Sequence, residues 1–171
     1  MQSTYIPIAT TTLGSAQASY TFSSIPTTYT DLVLIGNGYG TISNGQAPTL
    51  IFNSDTSALY SRTVLSGNGT AASSTRDSGG NSIIVGNAVG WETDSTKPAM
   101  FIAHIMNYSN TTTFKTILAR DGAANTTYPG TEANVGLYRS TNAINSIQIK
   151  AGGTANFATG STFTLYGIKA A

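Results

Sequence analysis

The chain contains no cysteine, which excludes a disulfide framework, a thiolate metal site and a cysteine nucleophile, so stability has to come from packing and assembly. Charge is nearly as scarce. Eight basic and seven acidic residues stand among 171, a charged fraction of 9%, about a third of the share usual in a soluble domain. Repulsion between copies is correspondingly weak. The basic residues are scattered, which removes the electrostatic footprint of a nucleic-acid binder. No apolar run approaches the roughly 18 residues that span a bilayer. The N-terminus has no basic segment leading into an apolar stretch. The expectation is a protein made in the cytoplasm with no membrane anchor of its own. Helix signals are missing too: no segment joins ten or so residues of 3.6-residue periodicity to a cap and a stop.

Uncharged polar residues fill the space that charge leaves. The chain has 28 Thr, 19 Ser and 18 Gly; Thr suits pleated, half-buried surfaces, while Ser and Gly suit turns. Disorder is the competing reading of such a composition, but hydrophobic residues make up 40% of the chain, including nine Tyr and six Phe spread along its length, enough to offset the ordering entropy. A chain of this length suits a single domain spanning 1–171.

Periodicity is short and two-fold. Thr4–Ala9 and Ala18–Ile25 alternate, with Tyr20 and Phe22 on one face. Asp31–Gly36 is apolar on both faces, as in a central or interface strand. Pro48–Asn53, Leu59–Leu65, Ser82–Val89, Ala99–Met106, Phe114–Arg120, Asn134–Tyr138, Ile144–Ile149 and Phe163–Ile168 follow, each bounded by Gly, Asn, Ser or Thr. In Leu59–Leu65, Tyr60, Arg62 and Val64 share a side. The pattern predicts about ten or eleven short strands. Without crossover helices these have to pair antiparallel in a sandwich or barrel. Residues 1–12, interrupted by Pro7, read as an arm or an edge strand. Two Gly/Ser/Thr stretches, Ser66–Asn81 and Gly122–Thr131, read as exposed loops. No internal repeat, heptad or Gly-X-Y run is present, so the chain builds no fibrous shaft.

Catalytic patterns are absent. Leu32–Gly40 superficially suggests a dinucleotide loop, yet its third glycine comes one position early and no helix follows before Pro48, so it reads as a Gly-rich turn. The single histidine, His104, shares a face with Ile102 and Met106 and reads as a packed or interface residue. None of the seven carboxylates, Asp31, Asp55, Asp77, Glu92, Asp94, Asp121 and Glu132, falls in a glycosidase, calcium-loop or zinc pattern. No catalytic residue, metal or cofactor is expected. Trp91, beside Glu92 and Asp94, offers an aromatic platform with acceptors. It reads first as a structural or interface anchor and second as a surface on which a sugar ring could stack. Four Asn-X-Ser/Thr matches, at Asn68, Asn107, Asn110 and Asn125, carry little weight in so Asn- and Thr-rich a chain.

Several segments resemble a widespread group of tailed-phage structural proteins. They are Leu13–Pro26, Tyr29–Leu34, Ile51–Thr56, Asn107–Lys115 and Tyr138–Ile147, together with the most recognisable piece, Phe157–Ile168. The resemblance spans nearly the whole chain and rests on turn and strand pattern. It implies a virion protein of the jelly-roll capsid cement or decoration type, with an all-β, antiparallel jelly-roll-like sandwich. Such a protein would be synthesised in the host cytoplasm and located on the capsid exterior. Its expected partners are the phage major capsid protein and further copies of itself in a homotrimer, with no nucleic acid and no membrane. Expected oligomer or capsid contacts are Tyr5, Ile6 and Ile8 in the N-terminal strand, and Leu32, Val33, Leu34 and Ile35 in the two-faced apolar strand. The competing reading is a tail-fibre or receptor-binding module that grips host glycans through Trp91, Tyr39 or Tyr128. A polysaccharide hydrolase would need an acid and base pair in a groove, for which no motif is present.

Overall fold

Alternation along single segments sets the architecture. In Ala99–Met106, residues 99, 101, 103 and 105 are buried while Met100, Ile102, His104 and Met106 face the other way, as expected of a strand with one face against a core. The computed structural model describes residues 4–42, 47–86, 91–123 and 130–169. Among them are twelve strands and no helix: β1 (Tyr5–Thr12), β2 (Ser19–Phe22), β3 (Asp31–Gly38), β4 (Thr49–Phe52), β5 (Tyr60–Gly67), β6 (Ala72–Gly80), β7 (Ile83–Ile84), β8 (Ala99–Met106), β9 (Lys115–Ala123), β10 (Gly130–Tyr138), β11 (Ile147–Lys150) and β12 (Thr162–Ile168).

All pairings are antiparallel. The strands form an eight-stranded sheet ordered β1-β12-β3-β8-β9-β10-β5-β6 and a four-stranded sheet ordered β2-β11-β4-β7. The four strands of the small sheet match β1-β12-β3-β8 one for one, each chain neighbour taking the equivalent place in the other sheet. This is jelly-roll connectivity. Two hairpins are added to it. The first, β5-β6, is inserted between β4 and β7; the second, β9-β10, lies between β8 and β11. Pairing of β10 with β5 joins them into a four-stranded extension of the large sheet.

The core lies between the sheets. Trp91, Phe101, Phe157 and Phe163 interlock with ring centroids 4.9 to 6.2 Å apart. Phe52, Tyr60 and Tyr138 form a second aromatic group. Burying each such side chain contributes roughly 1.5–3 kcal/mol. Gly36 belongs to this packing: a Cβ there would collide with the Phe101 ring. The turn-like glycines of the Leu32–Gly40 segment therefore serve close packing inside the sandwich.

One expected loop is a strand. Ala72–Gly80, within Ser66–Asn81, pairs with β5 along its length. The turn between them is held by Asn68, whose Oδ1 accepts from the backbone of Thr70 and Ala71 and from the Thr70 hydroxyl. The strand escapes a periodicity reading because it is an edge whose residues are exposed on both faces up to Gly79. In the other expected loop, Gly122 and Ala123 end β9, and Gly130 and Thr131 begin β10; residues 124–129 lie outside the described set. The Ser82–Val89 segment shortens to the two residues of β7, its end also lying outside that set.

Candidate functional site

The outer face of the large sheet is built by the side chains that alternation turns away from the core. Register aligns them in rows across the strands. One row runs Tyr166, Val33, His104, Leu118, Val135, Thr63, Arg76. The next runs Thr164, Ile35, Ile102, Arg120, Ala133, Leu65, Ser74. Side chains in neighbouring strands of one row sit about 5 Å apart, so each row is a continuous surface. Leu65 is 62% exposed, Val135 52%, and Met100 and Leu118 41% each.

The polarity of β10 is inverted. Its inward residues are Glu132, Asn134 and Gly136, followed by Tyr138, while Ala133, Val135 and Leu137 face out. The inward polar groups are satisfied by an internal chain: Asp77 Oδ2 accepts from Arg62 Nε at 2.8 Å, Arg62 Nη1 donates to Asn134 Oδ1 at 3.4 Å, and Asn134 Nδ2 donates to Glu132 at 3.4 Å. Asp121 stands opposite Glu132 in the register. It is 7% exposed, and neither carboxyl oxygen has a hydrogen-bond partner among the described residues. Burial, and then the adjacent Glu132 charge, pushes its pKa up to about 7.

Charge on the outer face is one-sided. Arg76 and Arg120 project from it and Arg139 lies at its end, whereas Asp121 and Glu132 are buried and Asp77, exposed on the edge strand, is ion-paired to Arg62. Asp31 is the exception, at the start of β3, where its Oδ1 accepts from the Asn107 amide at 2.7 Å and its Oδ2 lies 3.7 Å from His104 Nε2.

The expected contact residues divide sharply. Leu32 and Leu34 are fully buried core residues that face the small sheet, which corrects the expectation that they belong to an exposed contact surface. Val33 and Ile35 belong to the outer face, although Val33 is only 5% exposed. Tyr5 is exposed and packs edge-on to Tyr166 at 6.3 Å. Ile6 is half-buried, and Ile8 packs against the core. All three lie in β1, the edge of the large sheet. Trp91 is corrected as a sugar platform: its indole is 2% exposed and enclosed by Phe101, Phe157 and Phe163, which leaves no ring face for a ligand. Tyr39 is half-buried, and Tyr128 lies outside the described residues. His104 is on the outer face beside Leu118. The sequence reading missed Leu118, Val135, Arg76 and Arg139. For Val135 the signal was the alternation of Ala133, Val135 and Leu137 in β10, whose burial side the sequence leaves open.

The fold and this face define an antiparallel jelly-roll sandwich with a broad, mostly apolar sheet surface. No family model matches the chain, and no curated protein does. A solved structure described as the catalytic domain of PdAgaC aligns with 98% of this chain and 76% of its own, at 7% identity and a TM-score of 0.24. That similarity is too low to bear on fold or activity.

Proposed function

We propose that the chain is a non-enzymatic structural protein of a bacteriophage particle, a capsid cement or decoration protein that binds the major capsid protein shell through the outer face of its eight-stranded sheet. The carrying observation is the inverted polarity of β10, which buries Glu132 and Asn134 and leaves Val135 52% exposed. An isolated domain would gain stability from the opposite arrangement. Exposed apolar patches rimmed by polar groups mark interaction sites. The cationic bias of the face selects the occupant. Two copies packed face to face would set Arg76, Arg120 and Arg139 against one another, whereas a shell surface with an apolar centre and carboxylates would complement them. Jelly rolls are common in viral capsids and lectins, which supports the reading at the level of fold.

Self-association is assigned to the other end of the sheet. Pro7 interrupts the free edge of β1 and Tyr5 is exposed beside it, a strand suited to reach onto a neighbouring copy in a homotrimer around a three-fold position of the lattice. Rebinding of the purified protein to particles depleted of it tests the proposal. Wild-type protein restores resistance to heat and low salt, and a Leu118→Ser, Val135→Ser double variant that remains folded does not. Depleted particles as robust as complete ones would refute the strengthening role.

A further inference from the structure

The outer face ends, on the side of β6, in a groove of about 450 Å³. Its floor is formed by Thr63 and Val135 in one row and by Ser61 and Leu137 in the next. Arg76 and Arg139 stand at its walls. Arg76 is exposed and makes no hydrogen bond or ion pair with another described residue. Arg139 is half-buried and already oriented: Nη1 donates to Ser61 Oγ at 3.1 Å and Nη2 to the Ala58 carbonyl at 2.9 Å. Two of its five N–H donors are thereby used, leaving the rest for a ligand. Asp77, next to Arg76 in the chain and also at the groove, has its carboxylate bound to Arg62 at 2.8 Å. The groove thus holds one carboxylate among the described residues, Asp77, and it is ion-paired to Arg62, not to either wall arginine. In a chain with only eight basic residues, two guanidinium groups over a floor of hydroxyls and aliphatic carbons form a distinct site. Guanidinium forks bind carboxylates in bidentate geometry.

We propose that Arg76 and Arg139 clamp Asp or Glu side chains of an acidic protein segment whose apolar residues continue onto Val135 and Leu118. This rests on the docking role given above to the same face and names the chemistry of the partner. Continuity decides for a protein segment over a free anion, because Arg76, Thr63, Val135 and Leu118 lie in one row and the polar clamp runs directly into the apolar surface.

The test is an NMR titration that follows the Nε–H signals of all four arginines of the intact chain, with a Glu-Leu-Glu-Leu-Glu-Leu peptide in one arm and sodium sulfate in the other. The peptide should move the Arg76 and Arg139 signals and leave Arg62 and Arg120 in place. Arg76→Gln, an exposed substitution, should weaken its affinity about tenfold, and adding Arg139→Gln should abolish binding. Sulfate moving the two signals while the peptide does not would overturn the assignment to a protein segment. So would equal movement of Arg120, or no movement at all. Particle rebinding by the Leu118→Ser, Val135→Ser variant separates the two ideas. If the titration fails but that variant cannot rebind, the docking face stands without its clamp; if the variant also rebinds normally, the docking role fails with it.

Discussion

Both oxygens of Asp121 lie out of solvent without a hydrogen-bond partner among the described residues, and its cross-strand neighbour is Glu132. The folded chain accordingly keeps this carboxyl protonated up to about pH 7, whereas the unfolded chain releases the proton near the ordinary value of 3.8. Between those two pH values the native state binds the additional proton, so stability falls as pH rises through the window, by up to about 4 kcal/mol. Urea denaturation at pH 5 and pH 8 measures this, and Asp121→Asn should flatten the dependence and stabilise the chain at pH 8. A dependence unchanged in the variant would show that another group carries it. Lys115 poses the opposite case. It is fully buried, burial lowers its pKa, and its Nζ donates to the carbonyls of Thr113, Ser140 and Thr141 at 2.8, 3.3 and 3.2 Å. Lys115→Met keeps the volume but removes all three donations. The expected loss is about 2–4 kcal/mol in the same denaturation experiment.

Strands differ in how well their sequences announce them. In β12 Phe163 and Leu165 alternate with Thr162 and Thr164, and the buried set is the one the pattern selects, whereas in β8 large apolar side chains stand on both faces, Phe101 and Ile105 inward and Met100, Ile102 and Met106 outward. In β3 both faces are apolar, so alternation could not show that Leu32 and Leu34 face the small sheet while Val33 and Ile35 face out. β6 gave no signal because an exposed edge strand has no face to bury, and its hydroxyl-rich sequence is also that of a loop. β10 leaves its burial side open, and a polar-out reading of Glu132 to Leu137 would reverse the two faces. Gly136 explains how the inward side is nevertheless filled, since a Cβ at that position would lie 2.7 Å from Ile83 Cδ1. Trp91 was ambiguous for a different reason, because nothing local distinguishes a loop aromatic that stacks on a ligand from one that reaches back into the core. The edge position of β6 carries its own expectation. Its ladder bonds run to β5 alone, so its amides should lose hydrogen-exchange protection well before those of β9, which is paired on both sides. Equal protection would mean that this edge is covered by another copy in solution.

Viewed entire, the described residues form an eight-stranded jelly roll to which two inserted hairpins add a four-stranded wing, and the wing carries three of their six exposed large hydrophobic side chains, Leu65, Leu118 and Val135. A chain this poor in charge has little to oppose self-association. Light scattering coupled to size-exclusion chromatography should report a mass of three chains at micromolar concentration. Tyr5→Lys in the β1 edge should lower it, while the Leu118→Ser, Val135→Ser variant should leave it unchanged; a stable monomer would remove the trimer from the proposal. Attachment through the wing is tested most directly by a cryo-EM map of the particle that contains this protein. The proposed arrangement places capsid-protein density against Leu65, Leu118 and Val135, with acidic side chains reaching Arg76 and Arg139. A map in which that face is open to solvent while another surface of the chain meets the shell would contradict it.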